Sequence, residues 1–270
     1  MEKLTQVDGL KTRYLEEGTG PAAVFVHGAS LGSSADVYQE TLSTLAKGGF
    51  RAIAFDQPGY GYSDNPSDYR ASYRMQFIPK FIDALGLGKA CVAGHSQAGI
   101  MVLRLALDRC SQVSKAVVIG TGPLLPPLVD QGGRGRERGG DEEGDSEPTL
   151  ESTKKLLEEN TFNKALITPE VVEKRYQLSI GKNFEASKQR ANARERSTDE
   201  VPLWQRLKEV PVPLLMLYGA QDRGSAGKRA ALLKEKEPSI RLEVIDNAAH
   251  MIMWDAKESF CKKIYDFLSA

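Results

Sequence analysis

The feature that most constrains this chain is a serine set between a short apolar run and a helical pattern. Ala90–Ala93 leads into Gly94-His95-Ser96-Gln97-Ala98-Gly99, and Ser96–Asp108 then carries helical periodicity. A chain that passes from strand to helix in one tight turn holds the turning residue in strained backbone angles and needs small neighbours. Gly94 supplies one; Ala98 stands where such turns usually carry a second glycine, with Gly99 just behind it. The turn puts the serine at a helix N-terminus, where unpaired N–H groups and the helix dipole favour developing negative charge. Taken alone, the motif also fits a plain helix start capped by Ser96, so its weight depends on the rest of the chain.

The rest repeats one rhythm. Ala22–Val26, Arg51–Phe55, Ala90–Ala93, Lys115–Ile119 and Pro213–Tyr218 read as buried strands, and Ile240–Ile245 alternates like a strand nearer an edge. Helical patterns follow most of them, over Ser34–Ala46, Ser72–Leu85, Ser96–Asp108, Ser225–Glu235 and Ala256–Leu268. Strands alternating with helices predict an α/β fold, a mostly parallel sheet covered on both faces. At 270 residues and 41% hydrophobic content, one such unit has enough apolar material for its core. Pro79 should kink or restart the second helix.

One stretch breaks the rhythm. From Pro123 to about Trp204 no strand pattern appears, while Thr149–Glu159 and Thr168–Ile180 look helical. We expect a core of residues 1–122 and 206–270 with an inserted helical cap over 123–205. Within it, residues 131–147 are glycine-rich and densely charged, with little to bury, which predicts a mobile loop or a solvated linker.

Two further residues stand where the strand pattern ends. Asp222 follows Leu217-Tyr218-Gly219-Ala220-Gln221, and His250 follows Asn247-Ala248-Ala249 after Ile240–Ile245. Residues just past strand ends gather at one edge of a parallel sheet, where sites in such sheets occur. Asp222 alone would also suit a turn or cap before the helix at Ser225. Of the three histidines, His27 and His95 sit beside other motifs, which leaves His250 as the candidate base.

With these residues in place, the chain resembles the α/β-hydrolase superfamily over nearly its full length outside the cap. Asp56-Gln57-Pro58-Gly59-Tyr60-Gly61-Tyr62-Ser63 looks like that family's D-x-P-G-x-G-x-S turn, and the chain order Ser, Asp, His matches the fold. The resemblance implies an eight-stranded, mostly parallel sheet with the site under the cap. It implies Ser96 as nucleophile, His250 as base and Asp222 as the acid that orients it. It also implies an oxyanion hole from the backbone N–H groups of Ala29, in His27-Gly28-Ala29, and Gln97; His27 itself is expected to shape the loop. A serine at the nucleophile position points away from dehalogenase and epoxide-hydrolase chemistry, where relatives use aspartate.

A narrower stretch, Leu166-Ile167-Thr168-Pro169-Glu170-Val171-Val172-Glu173-Lys174-Arg175-Tyr176, is similar to the cap helix of meta-cleavage product hydrolases. Those enzymes cleave a carbon–carbon bond in 2-hydroxy-6-oxo-dienoates, and the resemblance implies that Arg175 binds a substrate carboxylate. The chain departs from that group at His95, usually Asn, at Met251, usually Trp, and in lacking its glycine-rich oxyanion loop. At about 100° per residue, Val171, Val172, Tyr176, Leu178 and Ile180 share a face that also holds Arg175 and Ser179. A cation on an apolar face needs a carboxylate, a ligand or a route to solvent.

Charge and cysteine narrow the function classes. Lys plus Arg equals Asp plus Glu at 36 each, which argues against nucleic-acid or anionic-membrane binding. Cys91, Cys110 and Cys261 make neither a disulfide framework nor a metal pattern and suit a reducing cytoplasm. No basic start precedes an apolar run, so no signal peptide is expected, and no stretch is apolar enough to span a bilayer. The expected partner is a small-molecule substrate, an ester, lactone or dienoate, with no cofactor and no metal. A ligand-sensing protein and cofactor-free oxygen chemistry on the same fold stay open as alternatives.

Overall fold

The computed structural model describes residues 1–128, 146–195 and 199–270. Eight strands form one sheet: β1 (Glu2–Val7), β2 (Leu10–Glu17), β3 (Ala22–Val26), β4 (Arg51–Phe55), β5 (Ala90–His95), β6 (Val113–Ile119), β7 (Leu214–Gly219) and β8 (Leu242–Ile245). The spatial order is β1-β2-β4-β3-β5-β6-β7-β8. The β1–β2 and β2–β4 pairs are antiparallel and the rest are parallel. The expected α/β architecture is therefore what the chain adopts.

Helices cover both faces. They are α1 (Gln39–Lys47), α2 (Ala71–Ala84), α3 (Gln97–Leu107), α4 (Leu150–Asn160), α5 (Pro169–Gln177), α6 (Lys182–Asn192), α7 (Ala226–Lys236), α8 (Ile252–Asp255) and α9 (Lys257–Ser269). The two-residue period of a strand splits β3 between two cores. Phe25 packs with Leu42, Leu45, Phe260 and Ile264 on the α1 and α9 side. Val24 and Val26 pack with Phe77, Phe81 and Val102 on the α2 and α3 side. Burial on both faces is why the central strands read as unbroken apolar runs.

Sequence and structure part company at four places. β1 and β2 do not figure among the strands read from apolar pattern, because β1 is exposed along most of its length. They form a hairpin over Asp8 (φ 52°) and Gly9 (φ 79°), the positive-φ pair that a tight hairpin turn demands. The helix expected over Ser34–Ala46 divides into a 3-10 turn, Ala35–Tyr38, capped by Ser34, and then α1. α2 runs through Pro79 without restarting, since Phe77, Ile78, Phe81 and Ile82 are buried on either side of it. α6 escapes an apolar-pattern reading because three of the five residues it buries are polar: Asn183, Ser187 and Arg190.

Among the described residues between β6 and β7 there is no strand. The loop expected over 131–147 lies outside the described residues up to position 145. α4, α5 and α6 dock on the sheet domain by polar contacts. Lys182 Nζ donates to the Ser63 carbonyl at 2.7 Å, Asn183 Nδ2 to Gly61 at 3.1 Å and Arg190 Nη1 to Gly59 at 2.8 Å. On the other side, Asp255 accepts from the Phe162 and Asn163 N–H groups at 2.9 Å each. No helix among the described residues is long and apolar enough to cross a membrane.

Candidate active site

The site follows from strand order. After β3 the chain moves to β4 on one side and returns to β5 on the other, so β3 and β5 are neighbours whose connections part in opposite directions. Such a switch point leaves a crevice beyond the carboxyl ends of the strands. Val26 pairs with Gly94 there, which sets residues 27–29 beside the turn at Ser96.

That turn has the expected strain. Ser96 adopts φ 55°, ψ −123°, in the positive-φ region a non-glycine residue enters only when its surroundings hold it. They do hold it. Its N–H donates to the Ile119 carbonyl at 2.8 Å, and Thr121 Oγ1 lies 2.9 Å from its carbonyl. A Cβ at Gly94 would overlap the Ala98 carbonyl, and one at Gly99 would overlap Thr121 Oγ1. Ala98 itself is fully enclosed, so a methyl group fits the place where a glycine is usual.

His250 and Asp222 meet across the sheet edge. His250 Nδ1 lies 3.0 Å from Asp222 Oδ1 and 3.3 Å from Oδ2, and both residues are buried. The Arg223 N–H donates to the same Oδ1 at 2.7 Å. Gly120 (φ 56°) passes directly over this pair: a Cβ there would stand 3.3 Å from His250 Nδ1 and 3.4 Å from Asp222 Oδ2.

The other two histidines are framework. Burial drives the His95 imidazole well below its ordinary pKa, so it is neutral. Its Nε2–H can then donate to the His250 carbonyl, 3.0 Å away, and the two rings lie 4.6 Å apart. Burial likewise pushes His27 down to about 3. Its Nε2 accepts from the Gln57 N–H at 3.1 Å, and its Nδ1–H points to the Gly28 carbonyl at 2.7 Å. His27 therefore ties the loop after β3 to the Asp56–Ser63 turn, as a loop-shaping residue should. That turn is built on buried Asp56, which accepts from the Ala35 N–H at 2.6 Å and the Tyr62 N–H at 2.9 Å.

A cavity of about 380 Å³ opens at this edge, lined in part by Ser96, Gln97, Gly120, Asp222, Arg223 and His250. Ala29 and Arg175 are not among its lining residues. Ala29 is nonetheless close by: a Cβ on the preceding Gly28 would stand 3.2 Å from Ser96 Cβ. No other described residue takes the N–H of Ala29 or of Gln97. Arg175 is buried, as its place on the apolar face of α5 predicts, and donates from Nη2 to Ser30 Oγ at 2.8 Å and Ser33 Oγ at 3.3 Å. It thus grips the loop that carries Ala29. Among the described residues no cluster of three or more His, Cys, Asp or Glu is placed to hold a metal ion.

The fold brings Ser96, Gln97, Asp222 and His250 to one cavity, together with supporting residues that no local sequence pattern marks. His95 and Thr121 act through contacts 155 and 25 positions away, which no local pattern encodes. Gly120 carried a signal, a lone glycine at the end of a buried strand, that reads equally well as an ordinary turn.

Residues 21–257 match the family described as alpha/beta hydrolase fold. The chain is 26% identical over 267 residues to a 2-hydroxy-6-oxononadienedioate/2-hydroxy-6-oxononatrienedioate hydrolase of Burkholderia vietnamiensis, covering 96% of this chain and 91% of the relative. It is 27% identical to a 2-hydroxy-6-oxo-6-phenylhexa-2,4-dienoate hydrolase of Burkholderia cepacia, covering 94% and 90%. A solved serine hydrolase involved in carbazole degradation superposes with a TM-score of 0.78 at 22% identity, over 100% of this chain and 98% of that one. That last likeness speaks for the fold alone.

Proposed function

The chain belongs to the α/β-hydrolase fold family, and on that premise we propose that it is a serine hydrolase in which Ser96 attacks, His250 moves the proton and Asp222 orients His250. The observation that carries this reading is the buried 3.0 Å contact of His250 Nδ1 with Asp222 Oδ1, beside a cavity that Ser96 also lines. A carboxylate at Nδ1 fixes the proton there and leaves Nε2 as the basic nitrogen. Nε2 takes the Ser96 proton as Oγ bonds to the substrate carbonyl carbon. The carbonyl π electrons pass to oxygen, and the Ala29 and Gln97 N–H groups receive that oxyanion. Each such donor is typically worth about 2.7–4 kcal/mol. Collapse breaks the bond to the leaving group, which takes the proton from His250. Water then repeats the sequence on the acyl-serine and releases the acid.

The cavity suits a small substrate, and the two dienoate hydrolases that match nearly the whole chain favour an activated carbonyl compound bearing a carboxylate. Ester and lactone cleavage share every step above; carbon–carbon cleavage of a dienoate also needs a prior proton shift from the 2-hydroxyl to the chain carbon beside the ketone, so that the departing carbon leaves as a stabilised enolate and then takes the proton from His250. In this reading residues 123–205 are a cap over the site. Arg223, half-buried and lining the cavity, meets the substrate carboxylate, while Arg175 holds the Ala29 loop. The test is steady-state hydrolysis of p-nitrophenyl acetate, a lactone and a 2-hydroxy-6-oxo-dienoate. Repeated turnover on at least one, lost in Ser96→Ala, is expected. A single slow burst on all three would point to a binding protein instead.

A further inference from the structure

We infer that Arg74 and Tyr60 form a buried brace that holds the two oxyanion donors in register, which makes both of them positioning residues for the reaction. The inference rests on the reading of Ala29 and Gln97 as donors. Those two N–H groups come from separate parts of the chain, the loop after β3 and the first turn of α3. Both must point at one oxygen within about 3 Å, and a misplacement of about 1 Å costs on the order of a hundredfold in rate. Something must therefore lock one segment to the other.

One polar path does so. Tyr60 Oη donates to the Ala29 carbonyl at 3.1 Å. Arg74, from α2, donates from Nη1 to that same Tyr60 oxygen at 3.5 Å and from Nη2 to the Gln97 side-chain oxygen at 2.8 Å. The path begins on one donor residue and ends on the other. Tyr60 and Arg74 are 2% and 4% exposed, so water competes weakly at the middle of the path; its Gln97 end is exposed but short at 2.8 Å, and the Arg74–Tyr60 contact is the long link at 3.5 Å. The Tyr60 ring is itself pinned, with the Arg190 guanidinium 3.8 Å from its centroid. Three helices thus send an arginine to this one place: Arg74 from α2, Arg175 from α5 and Arg190 from α6. Their convergence also registers at His27, in the same loop. Burial is the main cause of its depressed pKa, and all three guanidinium charges lower it further.

The path gives the inserted helices a say in catalysis. Arg175 and Arg190 reach the loop and the tyrosine from the segment between β6 and β7, so their seating fixes where the Ala29 N–H points.

The experiment compares Tyr60→Phe, Arg74→Met, Arg74→Lys and Gln97→Ala, with p-nitrophenyl acetate as substrate and trifluoroacetone as inhibitor. The ketone forms a tetrahedral adduct with Ser96 whose oxyanion sits where the transition state's does. Tyr60→Phe removes one hydroxyl and leaves the ring under Arg190, so it should fold normally. It should lower kcat about tenfold, with KM within about twofold and trifluoroacetone affinity reduced in step with kcat. Arg74→Met should lose more, and Arg74→Lys should recover part of it. In the double variant, losses from Arg74→Met and Gln97→Ala should fall short of multiplying, as for members of one path. Unchanged kcat and inhibitor affinity in Tyr60→Phe and Arg74→Met would overturn the brace. So would losses confined to KM and melting temperature. If Ser96→Ala retains turnover, the hydrolase reading itself fails; if Ser96→Ala is dead and the brace variants are intact, only the brace fails.

Discussion

A histidine whose Nδ1 faces a buried carboxylate can hold only one useful tautomer, and in the proposed mechanism that single constraint decides most of the chemistry at Ser96. Asp222 spends one oxygen on the Arg223 N–H and His250, and its burial keeps water from substituting. Asp222→Asn should preserve the fold and still present an amide of the same shape, yet favour the wrong tautomer. We expect kcat to drop by roughly 10³–10⁴ on any good substrate, measured beside an unchanged far-ultraviolet circular dichroism spectrum. A loss below about tenfold, ~1.4 kcal/mol, would mean that another acid serves His250. Gly120 offers a second test. Gly120→Ala adds a methyl at φ 56° and within 3.4 Å of both partners, so it should cut activity by misplacing His250. Normal activity with an undisturbed melting temperature would show the pair to be less confined. That Ser96, Asp222 and His250 gather at one edge of the sheet was legible in the sequence because each follows a recognisable strand, buried for Ser96 and Asp222 and alternating for His250. Gly120, His95 and Arg74 were not, because what they do depends on partners brought in by the fold.

At the scale of elements, helices with an apolar stripe and strands buried on both faces announced themselves, while elements that bury polar groups did not. α5 shows both sides. Its apolar face was readable, and so was the odd arginine within it, but not what that arginine would touch. The contact with Ser30 and Ser33 makes a prediction opposite in kind to substrate binding. Arg175→Ala should depress kcat/KM for neutral and carboxylate-bearing substrates alike, because the loop that carries Ala29 loosens for both. Arg223→Gln should instead penalise the carboxylate-bearing substrate by ~10- to 100-fold, the range for losing a charge-assisted hydrogen bond, and spare the neutral one. Kinetics of both variants on one acidic and one neutral ester would decide it. A selective loss in Arg175→Ala with no selectivity in Arg223→Gln would return the carboxylate to Arg175.

For the whole molecule, the alternation of strands and helices gave away the sheet, while its first hairpin hid behind charged residues and was marked only by Asp8-Gly9. Packing also sets how the fold answers acid. His27 titrates near 6.5 when unfolded and is pushed down to about 3 when folded. Between those values the unfolded chain binds the extra proton, so stability must fall as pH drops through that window. By about pH 4 His27 alone should remove roughly 3 kcal/mol. His27→Asn lacks this titration, so its stability deficit against the parent, measured by urea unfolding, should shrink from pH 7 to about pH 4. A deficit that stays constant would mean that His27 is not held neutral by the fold. The central claim is that Ser96 becomes acylated, and the most direct measurement is intact-protein and peptide mass spectrometry during reaction with p-nitrophenyl acetate, quenched in acid. We predict one added acetyl group on the peptide containing Ser96, absent from Ser96→Ala and accumulating in an Asp222→Asn background. An acetyl group on another residue, or turnover by Ser96→Ala with none at all, would contradict the account.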